Sequence, residues 1–319
     1  MPPAGSPPLC GSSTARLWLP TLAPEYDTAN AGDELPANWA DAAAAVACGR
    51  ASRILVLGPA DVGKTSFCRA MVRAVAPLRT IAVLDADVGQ KMIGPPACVT
   101  LGRGEPDGRL TLTALAFVGT IDPVRGWTCV VAALPVLAEE ADVGVTLVNT
   151  GGLLSGPGRR LKEAKIERLQ PDLLIMLGDH PVLEALAGAY SFLPCLQLSV
   201  SPQARRKSDG ERRRARGDAF CRYFEGAETW TAEAAELLKQ DASATIPPRL
   251  LVGLRDERER NIGVGVVIDI DAASDRMRLL TPVPKQKVHS IFQGELILDS
   301  EFRETRIPHG LNQDVQGDG

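Results

Sequence analysis

ILVLGPADVGKTSFCRAMVRAV, residues 54 to 75, runs from a short apolar segment through a glycine-bounded turn into an amphipathic one. Ile54 to Leu57 is continuously apolar rather than alternating, as expected of a strand covered on both faces. Gly58 to Thr65 then spells GxxxxGK followed by Thr, and the residues up to Val75 carry a helical period. Strand, glycine loop and helix in this order make a phosphate cradle. The glycines let backbone N–H groups curl around phosphate oxygens, and the helix aims its positive end at them. Lys64 reaches the outer phosphates and the Thr65 hydroxyl suits magnesium. Gly58, Ala60, Asp61, Val62, Gly63, Lys64, Thr65 and Ser66 are therefore the expected nucleotide-binding residues.

The pattern around this stretch repeats strand and helix. The Ala-rich segment from Trp39 to Cys48 favours helix. Further strands are expected at Thr80 to Asp85, Leu112 to Val118, Gly144 to Asn149, Asp172 to Leu177 and Cys195 to Val200, with helices at Pro123 to Ala141 and Arg159 to Leu169. Continuous apolar strands alternating with helices predict an α/β fold, a doubly wound, mostly parallel P-loop NTPase sheet whose ligands lie at the carboxyl ends of its strands. After Pro247 and Pro248 the text changes to short β-like runs separated by polar turns such as RDERER, Arg255 to Arg260, which predicts a small C-terminal β module. The expected organisation is a flexible leader over residues 1 to 34, packed locally through Trp18, a P-loop unit over 35 to 245 with a basic segment near 203 to 224, and the β module with a loose tail over 246 to 319.

Three other segments belong at the same crevice. DADVGQ, Asp85 to Gln90, ends the second strand, where carboxylates can face the cradle; Asp85 and Asp87 join Thr65 as expected metal ligands. VNTGGLLSGPG, Val148 to Gly158, puts polar and glycine residues at another strand end. QARRKSDGERRRAR, Gln203 to Arg216, holds seven basic and two acidic residues, a local charge of +5 in a chain of net charge −4. If helical, it sets Ser208, Arg212 and Arg216 on one face, with Phe220 and Phe224 extending the stripe as a packing anchor. Such a lid could deliver guanidinium groups to a migrating phosphoryl group, and Gly210 and Gly217 would loosen it at both ends.

Composition narrows the classes. With 319 residues, 45% hydrophobic and 23% charged, the chain reads as globular, and its acidity argues against coating long nucleic acid by counterion release. Seven scattered cysteines without a CxxC pair and three isolated histidines form neither a disulfide framework nor a zinc site. No apolar run approaches the ~20 residues of a membrane span, and a reducing, cytoplasmic setting is expected.

GPADVGKTS, DADVGQ, FVGTIDP (Phe117 to Pro123), VNTGGLLSGPG, the basic segment and RYFEG (Arg222 to Gly226) together resemble the polynucleotide 5'-hydroxyl kinase family, which includes the pre-mRNA cleavage-complex kinase and pre-ribosomal RNA-processing relatives. The resemblance runs from about Leu35 to Gly226, and the tail resembles the β module that follows the kinase unit in that family. It implies an enzyme that uses ATP and Mg2+ to phosphorylate the 5'-hydroxyl end of RNA or DNA. It also implies roles: Lys64 on the β and γ phosphates, Thr65 on magnesium, and Asp87 orienting or deprotonating the attacking hydroxyl. Gln90, Thr150 and Gly151, with Arg212 and Arg216, would contact the substrate, while Lys207 and Arg212 act from the lid. The chain departs from the pattern in three places. Leu153 stands where the family has the Trp of a TxGW clasp, Lys207 beside Arg206 stands where the first lid residue is typically Arg, and the region before the cradle is short for the N-terminal β domain of eukaryotic members. The alternative is a P-loop ATP- or GTP-dependent regulatory or assembly protein without nucleic-acid kinase activity, and a small-molecule kinase is a third possibility. The sequence names no protein partner.

Overall fold

The computed structural model describes residues 25–26, 36–238, 246–271 and 273–306. Trp18, nearly all of the expected leader and the tail after residue 306 lie outside the described residues. The first sheet and its helices comprise β1 (Glu25–Tyr26), α1 (Ala37–Cys48), β2 (Arg53–Leu57), α2 (Lys64–Val75), β3 (Ile81–Ala86), β4 (Cys98–Gly104), β5 (Leu110–Phe117), α3 (Trp127–Glu140), β6 (Val145–Thr150), α4 (Pro157–Leu169), β7 (Leu173–Leu177), α5 (Pro181–Ala189) and β8 (Cys195–Leu198). They are followed by α6 (Asp209–Tyr223), β9 (Glu228–Glu233), α7 (Ala234–Leu238), β10 (Leu250–Arg255), β11 (Asn261–Asp271), β12 (Arg276–Thr281), β13 (Ser290–Leu298) and β14 (Glu304–Arg306).

The first sheet has the order β1-β5-β4-β3-β6-β2-β7-β8, and β3, β6, β2, β7 and β8 run parallel. Its strands read as unbroken apolar runs because alternate residues enter two different cores. Ile54 and Val56 pack with Phe67, Met71 and Val75 of α2 on one face. Leu55 and Leu57 pack with Leu134 and Leu137 of α3 and Ile166 of α4 on the other. Burial on both faces makes this strand arrangement the one that removes most apolar surface from water.

Two expectations about strands change. Leu110–Phe117 is not another parallel strand: it pairs antiparallel with β4, an element the sequence reading lacked. β4 pairs antiparallel with β3 in turn, so a hairpin extends the parallel part of the sheet. Cys195–Leu198 is a half-exposed edge strand with burial on only one side, although its apolar spelling suggested a covered one.

The second sheet is antiparallel, in the order β14-β13-β10-β11-β12-β9. RDERER is the hairpin tip between β10 and β11, where Asp256 accepts from the backbone N–H groups of Arg258 and Arg260 and pairs with the Arg260 guanidinium at 2.6 Å. β9, which lies before the expected start of the β module at 246, pairs with β12 and so belongs to this sheet.

Phe117 fastens the two sheets. Its ring meets Phe292 edge-on at 5.0 Å, and its N–H donates to Asn261 Oδ1 at 3.3 Å. Gly253 and Gly294 leave room for it, since a Cβ on either would come within 2.6 or 2.9 Å of the ring. Phe117→Ala should therefore destabilise the protein by about 3 to 5 kcal/mol, read as a lower denaturant midpoint, whereas Phe117→Leu should cost much less.

Candidate active site

The carboxyl ends of β2, β6 and β3 meet at one place because these strands are in parallel register, with Leu55 opposite Val148 and Ala86 opposite Thr150. There a cavity of 490 Å3 is lined by Ala60, Asp61, Gly63, Lys64, Thr65 and Ser66 from the glycine loop. Asp87, Gln90, Thr150 and Gly152 line it from the other strand ends, and Ser201, Gln203, Ala204, Arg205, Lys207 and Arg212 from the basic segment. The loop is bent hard. Gly63 has φ +94°, and a Cβ there would press on the Trp39 ring at 3.2 Å; Asp61 holds the left-handed region at φ 64° despite its side chain. Trp39 is itself fixed by α2, stacking edge-on against Phe67 at 5.3 Å, and by donation from its indole to Ser199 O at 2.9 Å.

Lys64 is 7% exposed, and its ammonium donates to Pro59 O at 2.5 Å. Burial pushes it down to about 8, against the opposing pull of Asp87. Among the described residues no carboxylate bonds this ammonium, which suits it to an incoming anion. Asp87 is locked by the backbone N–H groups of Gly89 and Gln90, both 3.0 Å from Oδ1, which leaves Oδ2 for other work. Thr65 and Asp87 supply two oxygen donors beside the phosphate cradle. Mg2+ takes one or two protein ligands plus phosphate oxygens and waters, so this donor set fits it.

Asp85 has a different place from the one expected. It is fully buried, and its carboxylate accepts from Asn149 Nδ2 at 3.0 Å and from the N–H groups of Asp87 and Met92 at 3.2 and 2.6 Å. Lys91 completes the shell at 3.3 Å. It therefore anchors the loop that carries Asp87 and does not line the cavity. The Thr150 hydroxyl is likewise spent, donating to Val56 O at 2.8 Å and accepting from Lys162 at 3.1 Å. Gly151 packs against the Asp87 carboxylate, and it is Gly152 that reaches the cavity. A Cβ on Gly152 would lie 2.4 Å from the backbone of Ala60, so only glycine lets this strand end close on the glycine loop. Gly58 and Val62 turn away, Val62 packing into the core beside Gly178.

The lid is helical where expected. Ser208 caps α6 in a complete capping box with Glu211. Arg205 pairs with Glu211 at 2.6 Å, and this bond is the main cause that holds the Glu211 carboxyl down to about 2. Arg212 forms an ion pair with Asp61, the Lys207 N–H donates to Asp61 Oδ2 at 3.1 Å, and Gln90 Nε2 donates to Arg212 O at 3.2 Å. Lys207 and Arg205 line the cavity and Arg206 does not. Arg216 is not a cavity residue. It lies one turn further on, held by Glu304 of β14 at 2.5 Å, and Arg213 donates to Glu304 O at 2.8 Å. Phe220 and Phe224 are buried as a packing stripe, Phe224 stacked on Phe302 at 5.0 Å. Gly217 lies inside α6 against the carbonyls of Glu301 and Phe302, not at a loosened end.

Sequence reasoning missed Lys162 and Lys165 of α4, each 1% exposed and each bonded to a strand end of the site. The signal was there: Leu161, Lys162, Lys165, Ile166 and Leu169 fall on one helical stripe, so both lysines sit at positions of core spacing.

The family described as mRNA cleavage and polyadenylation factor CLP1 P-loop matches residues 58–226. A polyribonucleotide 5'-hydroxyl-kinase of Pyrococcus horikoshii is 32% identical over 192 residues, covering 58% of this chain and 53% of that protein, so the chain spans about half of that relative. The enzyme of the same name from Pyrococcus furiosus is 26% identical over 322 residues, covering 81% of this chain and 91% of its own length. Among solved structures, a wild-type Clp1p–Pcf11p complex superposes with a TM-score of 0.68 at 12% identity, covering 82% of this chain and 79% of that one, a likeness of fold. With the glycine loop, the Asp87 strand end, the Gly152 closure and the basic helix all inside the matched span, the chain belongs to the CLP1 P-loop family.

Proposed function

We propose that the protein is an ATP- and Mg2+-dependent polynucleotide kinase that transfers the γ-phosphate to a 5'-hydroxyl end. The observation that carries this reading is the meeting of Lys64, Asp87, Lys207 and Arg212 in one cavity. Arg205, Lys207 and Arg212 from the lid and Lys64 from the glycine loop surround a space that also holds Asp61 and Asp87. Because Asp61 is taken up by Arg212 and the Lys207 N–H, Asp87 is the carboxylate left to face a substrate, a charge pattern that suits phosphoryl transfer. The names of the relatives, polyribonucleotide 5'-hydroxyl-kinase, point the same way.

In this reading the P-loop N–H groups and Lys64 hold the β and γ phosphates, and Thr65 with Asp87 would hold magnesium, which would supply charge neutralisation to the phosphates. Asp87 accepts the proton as the substrate 5'-oxygen forms its bond to the γ-phosphorus. The bond from that phosphorus to the β–γ bridging oxygen breaks, and ADP leaves with the electron pair. Arg212 leaves Asp61 to bind the migrating group, with Lys207 beside it, and Gln90 and Gly152 border the space for the chain end. The protein itself makes no covalent bond; placement and charge neutralisation supply the rate.

Incubation with labelled ATP and 5'-hydroxyl RNA and DNA oligonucleotides tests this. Labelled oligonucleotide should form, and Lys64→Ala or Asp87→Asn should each lower kcat at least about 100-fold with the fold intact. ATP hydrolysis without transfer to any oligonucleotide would reject the reading in favour of a nucleotide-driven regulator. Arg212→Ala should lower kcat more than it raises the KM for ATP, because its phosphate contact replaces an existing ion pair. Lys64 also sets a pH dependence. Its ammonium, near 8 in the free protein, loses its proton as pH rises, while a bound phosphate favours the charged form. ATP affinity should therefore fall above about pH 8, and calorimetry there in two buffers of different ionisation enthalpy should show proton uptake on binding, absent in Lys64→Met.

A further inference from the structure

Lys162 and Lys165 are as buried as the core leucines, yet among the described residues their ammonium groups bond carbonyl and hydroxyl oxygens and feel the Asp87 carboxylate only at a distance. Lys162 Nζ donates to Thr150 Oγ1 at 3.1 Å and to Gly151 O; Lys165 Nζ donates to Ala86 O at 3.1 Å. Burying an ammonium is costly unless its donors are used, and a leucine or methionine on the same stripe would pack without that cost. What the two lysines touch is selective. Thr150 passes the contact to Val56 O at 2.8 Å, at the end of β2 just before the glycine loop. Gly151 lies against the Asp87 carboxylate, where an added Cβ would be 3.5 Å from both oxygens, and Ala86 precedes Asp87 in the chain. One helix thereby grips the carboxyl ends of β2, β6 and β3, the strands that carry the cradle, the Gly152 closure and Asp87.

Resting on the kinase reading above, we propose that Lys162 and Lys165 are positioning residues, a buried two-lysine clamp. It holds the Asp87 strand end and the Thr150–Gly151 strand end at the separation that in-line phosphoryl transfer requires. Neither lysine reaches the cavity. The clamp acts through two main-chain carbonyls and the Thr150 hydroxyl, so its effect falls on the geometry of transfer and not on phosphate affinity, which belongs to the glycine loop and Lys64. Misplacement of reacting groups by about 1 Å costs roughly 100-fold in rate, so loosening either end has a measurable consequence. Burial lowers both ammonium groups, Lys165 to about 8 and Lys162 well below the ordinary lysine value, helped for Lys162 by repulsion from Lys165 and Lys64 and opposed in both by the Asp87 carboxylate.

Lys162→Met and Lys165→Met keep side-chain length and remove the donors. Three readouts are taken on the full chain: thermal midpoint, backbone hydrogen exchange, and phosphate transfer at saturating ATP and oligonucleotide. The clamp predicts an unchanged or higher midpoint and at least tenfold faster exchange confined to residues 86–90 and 150–153. It also predicts a kcat lowered at least tenfold, with the KM for ATP within twofold. Lys162→Gln, which keeps a donor, should recover part of both the exchange protection and kcat, and it replaces the methionine variant if that one does not fold. Unchanged exchange in these segments overturns the clamp, as does a fall in midpoint with exchange raised throughout the chain, which marks ordinary packing. If the parent protein transfers no phosphate, the kinase reading fails, and the confined exchange signature alone decides whether the clamp exists.

Discussion

The parallel register of β2, β6 and β3 is the constraint on which the site depends. Leu147 lies opposite both Ile54 and Val83, so three strands buried on both faces stop together and release their chains into one crevice. The apolar cores above and below the sheet hold that register, because a slip of one residue would exchange every inward-facing side chain between the two cores. The glycine loop, the Asp87 loop and the Thr150–Gly152 segment are close to one another for this reason before any polar contact forms.

Charge then does what burial cannot. Asp85 is surrounded by Asn149, Lys91 and three backbone donors, and this turns the end of β3 into a fixed mount for Asp87. On the open side, Asp61 holds Arg212 and the Lys207 backbone, drawing the lid onto the glycine loop. The far end of the same helix is pinned to the second sheet by the Arg216–Glu304 pair and the stacked Phe224 and Phe302 rings. The antiparallel sheet therefore contributes to the site without entering it: it sets where α6 can pivot and which turn of that helix faces the glycine loop.

Much of this was legible in the sequence. The glycine loop between an apolar strand and a helix carries its own geometry, and the i, i+4, i+8 stripe from Ser208 correctly put Phe220 and Phe224 in the core. The failures have physical causes. Asp85 and Asp87 are both strand-end carboxylates in the text, and only burial and hydrogen bonds separate the one that anchors a loop from the one that lines the cavity. Arg216 shares a helical face with Arg212, but a helix turn is long enough for one to meet Asp61 and the other Glu304, which is 88 residues away in sequence. β4, Cys98–Gly104, escaped because it alternates little and ends in glycine, and its pairing depends on strands on either side. Lysines inside an apolar helical stripe read as surface residues unless the stripe is trusted over the residue type, and Lys162 and Lys165 follow the stripe.

A crystal structure with magnesium and a non-hydrolysable ATP analogue tests the account most directly. The account predicts the triphosphate wrapped by residues 58 to 66, with the Arg212 guanidinium moved from Asp61 onto the γ-phosphate while the Arg216–Glu304 pair stays closed. A nucleotide bound elsewhere, or an Arg212 still paired with Asp61 above an occupied glycine loop, would contradict it.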